Sequence, residues 1–184
     1  MSVIDTWYGP LEAELFERFK QIRLVVCDVD GVFSDGCIYM GNAGEELKAF
    51  HTRDGLGVKA LLNAGIDVAV ITGRQSQIVE DRMQALGVKH IFQGQSNKQH
   101  CFEQLLVQLG LTPAQVASIG DDIPDLDMLQ RSAIGVCVSD GHPYVRQQAD
   151  YVTSARGGYG AVRELSDLIL QAQGQLQLTG GVSL

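Results

Sequence analysis

No apolar run in this chain approaches the ~20 residues that a bilayer-spanning helix needs. Nor does the opening, MSVIDTWYGPLEAELFERFK, contain an apolar stretch of the signal-peptide kind, and its acids come early. Cys27, Cys37, Cys101 and Cys137 stand far apart with no CxxC pair, and the histidines form neither HxxxH nor HExxH. A thiolate zinc site and a disulfide framework are therefore not expected. Positive charge is scarce as well: 14 Lys and Arg face 22 Asp and Glu, a net charge of −8. That argues against general nucleic-acid binding, and it obliges any anionic ligand to find cations gathered locally. The expectation is a cytoplasmic protein with reduced, mostly buried thiols and no membrane or nucleic-acid partner.

What is present is an ordinary core-forming composition, 45% hydrophobic over 184 residues, enough for one domain spanning 1–184. The periodicity predicts a helix over 11–20, then a strand over 24–29 that does not alternate and is therefore buried on both faces. Residues 37–50 read as a β-hairpin turning at Gly41-Asn42-Ala43-Gly44. Helices follow at 56–63, 75–86, 98–109, 123–131, 143–148 and 161–171. Strands lie between them at 68–72, 91–92, 116–120, 134–138 and 151–152. Alternation of this kind predicts an α/β domain with a mainly parallel sheet.

In such sheets ligands sit at the carboxyl ends of the strands. The first strand runs into Asp28, Asp30 and Gly31 in LVVCDVDGVFSDG. A second runs into Thr72, Gly73 and Arg74, and a later one into Asp121, Asp122 and Asp125. Carboxylates a few ångströms apart repel, and one takes up a proton unless a cation intervenes. A hard divalent cation prefers oxygen ligands. Asp28 and Asp121 are the expected carboxylate ligands, with the main-chain carbonyl of Asp30 a third. The Asp30 side chain is then free for proton transfer. Each piece alone has a blander reading: a turn, a helix cap, a solvated lysine. Their joint order at strand ends favours the functional one.

With DVDG (28–31), Thr72 in ITGR, Lys98 and GDDIPD (120–125) in this order, the sequence resembles the haloacid dehalogenase superfamily. Within it, KAFHTRDGLGVKALL and QGQSNKQHCFEQLL are similar to the 3-deoxy-D-manno-octulosonate 8-phosphate phosphatases. The resemblance implies a Rossmann-like three-layer sandwich and a Mg2+-dependent phosphatase acting on that sugar-acid phosphate in lipopolysaccharide precursor synthesis. It implies that Asp28 attacks phosphorus and that Asp30 moves the protons. It further implies that Thr72 and Lys98 hold the phosphoryl oxygens, and that Asp122 and Asp125 orient metal waters or Lys98. Positions 51–55 (His51, Thr52, Arg53, Asp54, Gly55), Lys59, Arg74, Arg82 and Lys98 match substrate-contacting positions of the family. Arg74 and Arg82, eight residues apart and placed by the predicted helix on one face, are the expected anion pair.

Between Asp30 and Thr72, and between Thr72 and Lys98, the predicted elements leave no room for a cap domain. Cover for the site then comes from elsewhere. Either the 37–50 hairpin pairs with copies of itself in a ring, as the tetramers of the family imply, or it packs on its own domain. The tail 176–184 is more apolar than a solvated terminus needs and is expected to fold over an active site. A phosphatase for a related nonulosonate phosphate, and a non-catalytic oligomerising module of the same fold, are the alternative readings.

Overall fold

Two short strands stand where the periodicity predicts the start of a helix. In the computed structural model, which describes residues 2–176, Val3–Thr6 (β1) pairs antiparallel with Gly9–Glu12 (β2). Gly9 at φ +106 makes the turn, and the Thr6 hydroxyl donates to its carbonyl at 2.6 Å. Helix α1 is accordingly shorter than expected, Ala13–Phe19, burying Leu15, Phe16 and Phe19. Leu11, which fits the helical period, belongs to β2 instead.

Strand β3, Leu24–Cys27, is fully buried and stops two residues before the predicted end. The 37–50 hairpin is present as Tyr39–Met40 (β4) and Glu46–Leu47 (β5), turning at Gly41–Gly44. Helix α2 runs Thr52–Asn63, one turn earlier than expected, because His51 Nδ1 accepts the N–H of Arg53 at 3.1 Å and caps it. Then come β6 (Asp67–Ile71), α3 (Gln77–Leu86), β7 (His90–Phe92) and α4 (Lys98–Leu109). Strand β8 is Val116–Gly120. The helix predicted over 123–131 divides into a 3-10 turn, Ile123–Asp125, and α5, Leu126–Arg131. Strand β9 (Ile134–Cys137), α6 (Pro143–Gln148), β10 (Tyr151–Val152) and α7 (Ala161–Ala172) complete the described chain.

Six strands form one parallel sheet in the order β10-β9-β8-β3-β6-β7. Period-2 geometry sends neighbouring side chains to opposite faces. Val25 and Cys27 join Phe16, Phe19, Leu61, Met83 and Leu165 on one side. Leu24 and Val26 join Phe102, Leu105 and Met128 on the other. The result is the three-layer sandwich, with α1, α2, α3 and α7 on one face and α4 and α5 on the other. Each fully buried Val or Leu in it contributes about 1.5–3 kcal/mol. Among the described residues there is no cap domain. No described helix is long and apolar enough to cross a membrane. The expectation for the tail lies, from residue 177 onward, outside the described residues.

Candidate active site

Strand order and register place the first functional group. Strand β3 lies between β6 and β8, and Cys27 is level with Val70 and Ile119. Successive elements leave β3 in opposite directions here, the switch point at which open sheets form a crevice. Adjacent strands are about 4.8 Å apart. Asp28, Thr72 and Asp121, each the first residue after its strand, therefore share one rim.

A tight turn carries the chain away from Asp28. The carbonyl of Val29 accepts N–H groups from Val32, Phe33 and Ser34. Gly31 takes φ +87, and a Cβ there would lie 2.2 Å from Asp121 Oδ2. Glycine is thus required twice over, for the backbone and for room. The turn is held from outside by Gly157, where an added Cβ would meet the Gly31 carbonyl at 1.6 Å. The N–H of Gly158 also donates to Val32 at 2.8 Å.

Lys98 opens α4 and reaches inward. Its Nζ lies 2.6 Å from Asp28 Oδ1 and 2.7 Å from Asp125 Oδ1. The other oxygen of Asp125 accepts the N–H groups of Asp121 and Asp122 at 3.0 and 3.2 Å. Asp125 thereby fixes both the lysine and the loop after β8. Burial pushes Lys98 toward losing its proton, but Asp28 and Asp125 outweigh it and the ammonium titrates above its ordinary value. Asp28 is held above the usual carboxylate range, first by burial and then by Asp125, with Lys98 opposing. Asp121 is pushed up to about 8 by burial and by Asp28, Asp125 and Asp122.

Oxygens of Asp28, Asp121 and Asp125 all lie within 4.8 Å of one another. Three carboxylates against one ammonium leave two negative charges, which is the charge of one divalent ion. The donor set is all oxygen, the preference of a hard cation, and the raised Asp121 marks a site short of positive charge. The residues fit a divalent cation site. Asp125 belongs to this geometric cluster and binds Lys98, the position expected of it from the sequence. Both of its oxygens are already engaged, which leaves Asp28 and Asp121 to face an ion.

The other expected residues separate into groups. The Asp30 carboxylate turns away to Lys48, and its second oxygen is 3.9 Å from Arg74 Nε. Thr72 is buried at the rim, its carbonyl taking the N–H of Gln95 at 3.0 Å. Asp122 is exposed and caps the following 3-10 turn through the N–H of Ile123 at 2.7 Å. Lys98 is bonded instead to Asp28 and Asp125. Thr52 and Arg53 are exposed on the first turn of α2, and Lys59 is half-buried on the same helix. Asp54 needs correction as a ligand-facing carboxylate. It is 1% exposed, and its oxygens accept the N–H groups of Gly160 and Arg163 at 3.2 and 2.9 Å, capping α7. Only its main chain faces the α2 terminus.

The expected Arg74–Arg82 helix face is also corrected, because α3 starts at Gln77 and leaves Arg74 in the loop before it. Arg74 reaches the hairpin, with Nη2 2.7 Å from Glu46. Arg82 lies against α2 instead, where a Cβ on Gly55 would fall 2.5 Å from its Nη2. Its Nε is buried with no hydrogen-bond partner among the described residues. Lys48 and Glu46 were not anticipated; their i, i+2 spacing puts them on one side of the hairpin.

Comparison with known proteins decides the lineage. Residues 90–163 match the haloacid dehalogenase-like hydrolase family. A curated 3-deoxy-D-manno-octulosonate 8-phosphate phosphatase of Yersinia pestis is 51% identical over 183 residues, covering 100% of this chain and 98% of that protein. The chain belongs to the 3-deoxy-D-manno-octulosonate 8-phosphate phosphatase family. A crystal structure of the Yersinia pestis phosphatase superposes with a TM-score of 0.96 at 50% identity, over 100% of this chain and 99% of that one. The family member from Moraxella catarrhalis, solved with magnesium, phosphate and KDO, has a TM-score of 0.87 at 43% identity, over 89% and 94%. The Haemophilus influenzae member was solved with cobalt (TM-score 0.83, 44% identity, 85% and 92%). Asp28, Thr72, Asp121 and Lys98, the acids, hydroxyl and lysine singled out in the sequence, stand at one rim of the sheet.

Proposed function

We propose that this chain hydrolyses 3-deoxy-D-manno-octulosonate 8-phosphate to the free sugar acid and phosphate, with Mg2+, in lipopolysaccharide precursor synthesis. The observation that carries the reading is Asp28: a buried carboxylate at the switch point, tied to Lys98 and facing Asp121. Residues 1–184 act as one phosphatase domain, a reading supported by a core that runs from Leu11 to Ala172.

Asp28 attacks phosphorus and becomes an aspartyl-phosphate, an acyl phosphate that water then cleaves. Asp30 donates a proton to the departing sugar oxygen and takes one from the water of the second step. Lys98 and Thr72 hold the phosphoryl oxygens as charge spreads over them. Asp28, Asp121 and the carbonyl of Asp30 would hold the Mg2+ ion, which when bound shields the nucleophile from the phosphate dianion. Asp125 keeps Lys98 and the β8 loop in place.

The sugar-acid end needs cations. Arg82 offers a buried Nε without a partner among the described residues, and such a donor costs about 1–3 kcal/mol unless a ligand supplies an acceptor. The first turn of α2, carrying His51, Thr52, Arg53 and Gly55 with Lys59 one turn on, adds a helix N-terminus suited to an anion. Arg74 and Lys98 complete the substrate-facing set.

Cover for the open rim comes from other copies, in a homotetramer. The support is the hairpin: Ile38, Tyr39, Met40 and Leu47 are 53, 45, 76 and 62% exposed beside one another. Apolar hairpin residues are normally shielded. A cytoplasmic location agrees with the three buried cysteines and the unpaired thiol of exposed Cys37.

The test is phosphate release from a panel of sugar phosphates with Mg2+ and with chelator, alongside Asp28→Asn. Metal-dependent release from the octulosonate ester, absent in the variant, is expected. Release that persists in Asp28→Asn refutes the nucleophile.

A further inference from the structure

Asp28 and Asp30 are two residues apart, carry the same functional group, and leave the same strand end. Yet among the described residues the carboxylate cluster suited to a cation comprises Asp28, Asp121 and Asp125, and Asp30 is outside it. Something must draw Asp30 away, because a divalent ion attracts any carboxylate within reach.

Lys48 supplies that force. It follows β5, and its side chain is 1% exposed, an unusual burial for a lysine. Its ammonium pairs with Asp30 Oδ1 and lies 3.3 Å from Glu46 Oε1. Glu46 in turn binds Arg74 at 2.7 Å, and Arg74 Nε stands 3.9 Å from the other oxygen of Asp30. The hairpin therefore grips Asp30 through a closed set of two cations and two carboxylates. The Asp30 side chain remains 23% exposed, so a leaving group can reach it.

We propose that Lys48 is a positioning residue for Asp30: it holds the acid/base carboxyl outside the metal cluster, so that one aspartate serves as nucleophile and the other moves protons. The assignment rests on the phosphatase reading above. It gives the hairpin a part in the chemistry of its own subunit, distinct from any part in assembly. Lys48 does not touch the phosphate or the sugar; it acts through Asp30.

Two variants test it, Lys48→Met and Lys48→Arg, each checked for an unchanged melting temperature and sedimentation coefficient. On the sugar-acid phosphate, Lys48→Met lowers kcat by about 10–100-fold, less than the roughly 10²–10⁴-fold of losing an acid–base group outright, because Asp30 itself remains. Its KM stays within about threefold, and Lys48→Arg recovers part of the loss. Single-turnover release of p-nitrophenolate from the aryl phosphate, a leaving group that needs no proton, stays within about twofold of wild type. In single turnovers of the sugar ester, Asp30→Asn/Lys48→Met is no slower than Asp30→Asn. A raised KM with kcat intact would make Lys48 a substrate contact and overturn the proposal. So would an equal loss on both esters, or a further loss in the Asp30→Asn background. If wild type cleaves the aryl ester but not the sugar-acid phosphate, the substrate assignment fails. The comparison is then read on whichever alkyl phosphate of the panel wild type does cleave.

Discussion

A half-buried carboxylate beside two others tells more about a site than any one distance. Asp121 is that residue, pushed up to about 8 by burial and its acidic neighbours, against about 3.9 in an unfolded chain. Between those values the folded, chelated protein binds a proton that the unfolded chain does not, so its stability falls as pH rises through the window. A divalent ion has to displace the same proton. The gain in melting temperature on adding Mg2+ to chelated protein should therefore be larger at pH 8 than at pH 6. Equal gains at both pH values would mean that Asp121 is ionised throughout. Lys98→Met should cost about 10²–10³-fold in kcat, the scale of a lost charge-stabilising donor, as read from steady-state phosphate release. Arg82→Ala should raise KM for the sugar-acid phosphate far more than for p-nitrophenyl phosphate; an equal rise for both would place Arg82 on the phosphoryl group.

At the scale of elements, tight turns and caps do the placing. Gly31→Ala puts a methyl group into the space of Asp121 Oδ2 at a φ of +87, and calorimetric titration should show Mg2+ binding lost while far-ultraviolet circular dichroism is retained. Glu164, fully buried on α7, accepts from the Tyr151 hydroxyl at 2.6 Å and from the N–H groups of Ser154 and Ala155 at 2.8 and 2.9 Å. Glu164→Ala strands those donors and should destabilise the fold by about 2–4 kcal/mol in urea titration. The strands that carry the rim were legible in the sequence because fully buried parallel strands read as unbroken apolar runs ending in acids and glycines. Strand β2 and helix α1 were not separable, because Leu11, Leu15 and Phe19 satisfy a helical period across both. Asp54 entered the expected set only because its position matches a substrate-contacting one of the family; its capping of α7, more than a hundred residues on, leaves no local trace. Lys48 escaped notice for the same reason, since its partner Asp30 belongs to a different element.

For the whole molecule, no cap among the described residues interrupts the sheet, and the exposed hairpin is the part suited to meet other copies. Met40→Lys with Leu47→Lys should shift sedimentation from tetramer toward monomer and lower turnover of the sugar-acid phosphate. A monomeric variant with full activity would dispense with a neighbouring subunit as cover. Gly157 and Gly158 press against the turn that follows Asp28, although some 130 residues of chain separate them. During translation the ribosome releases β3 and Asp28 long before those glycines exist. A nascent polypeptide consequently carries Asp28 without the clasp that shapes its surroundings until residues 157 and 158 have been made.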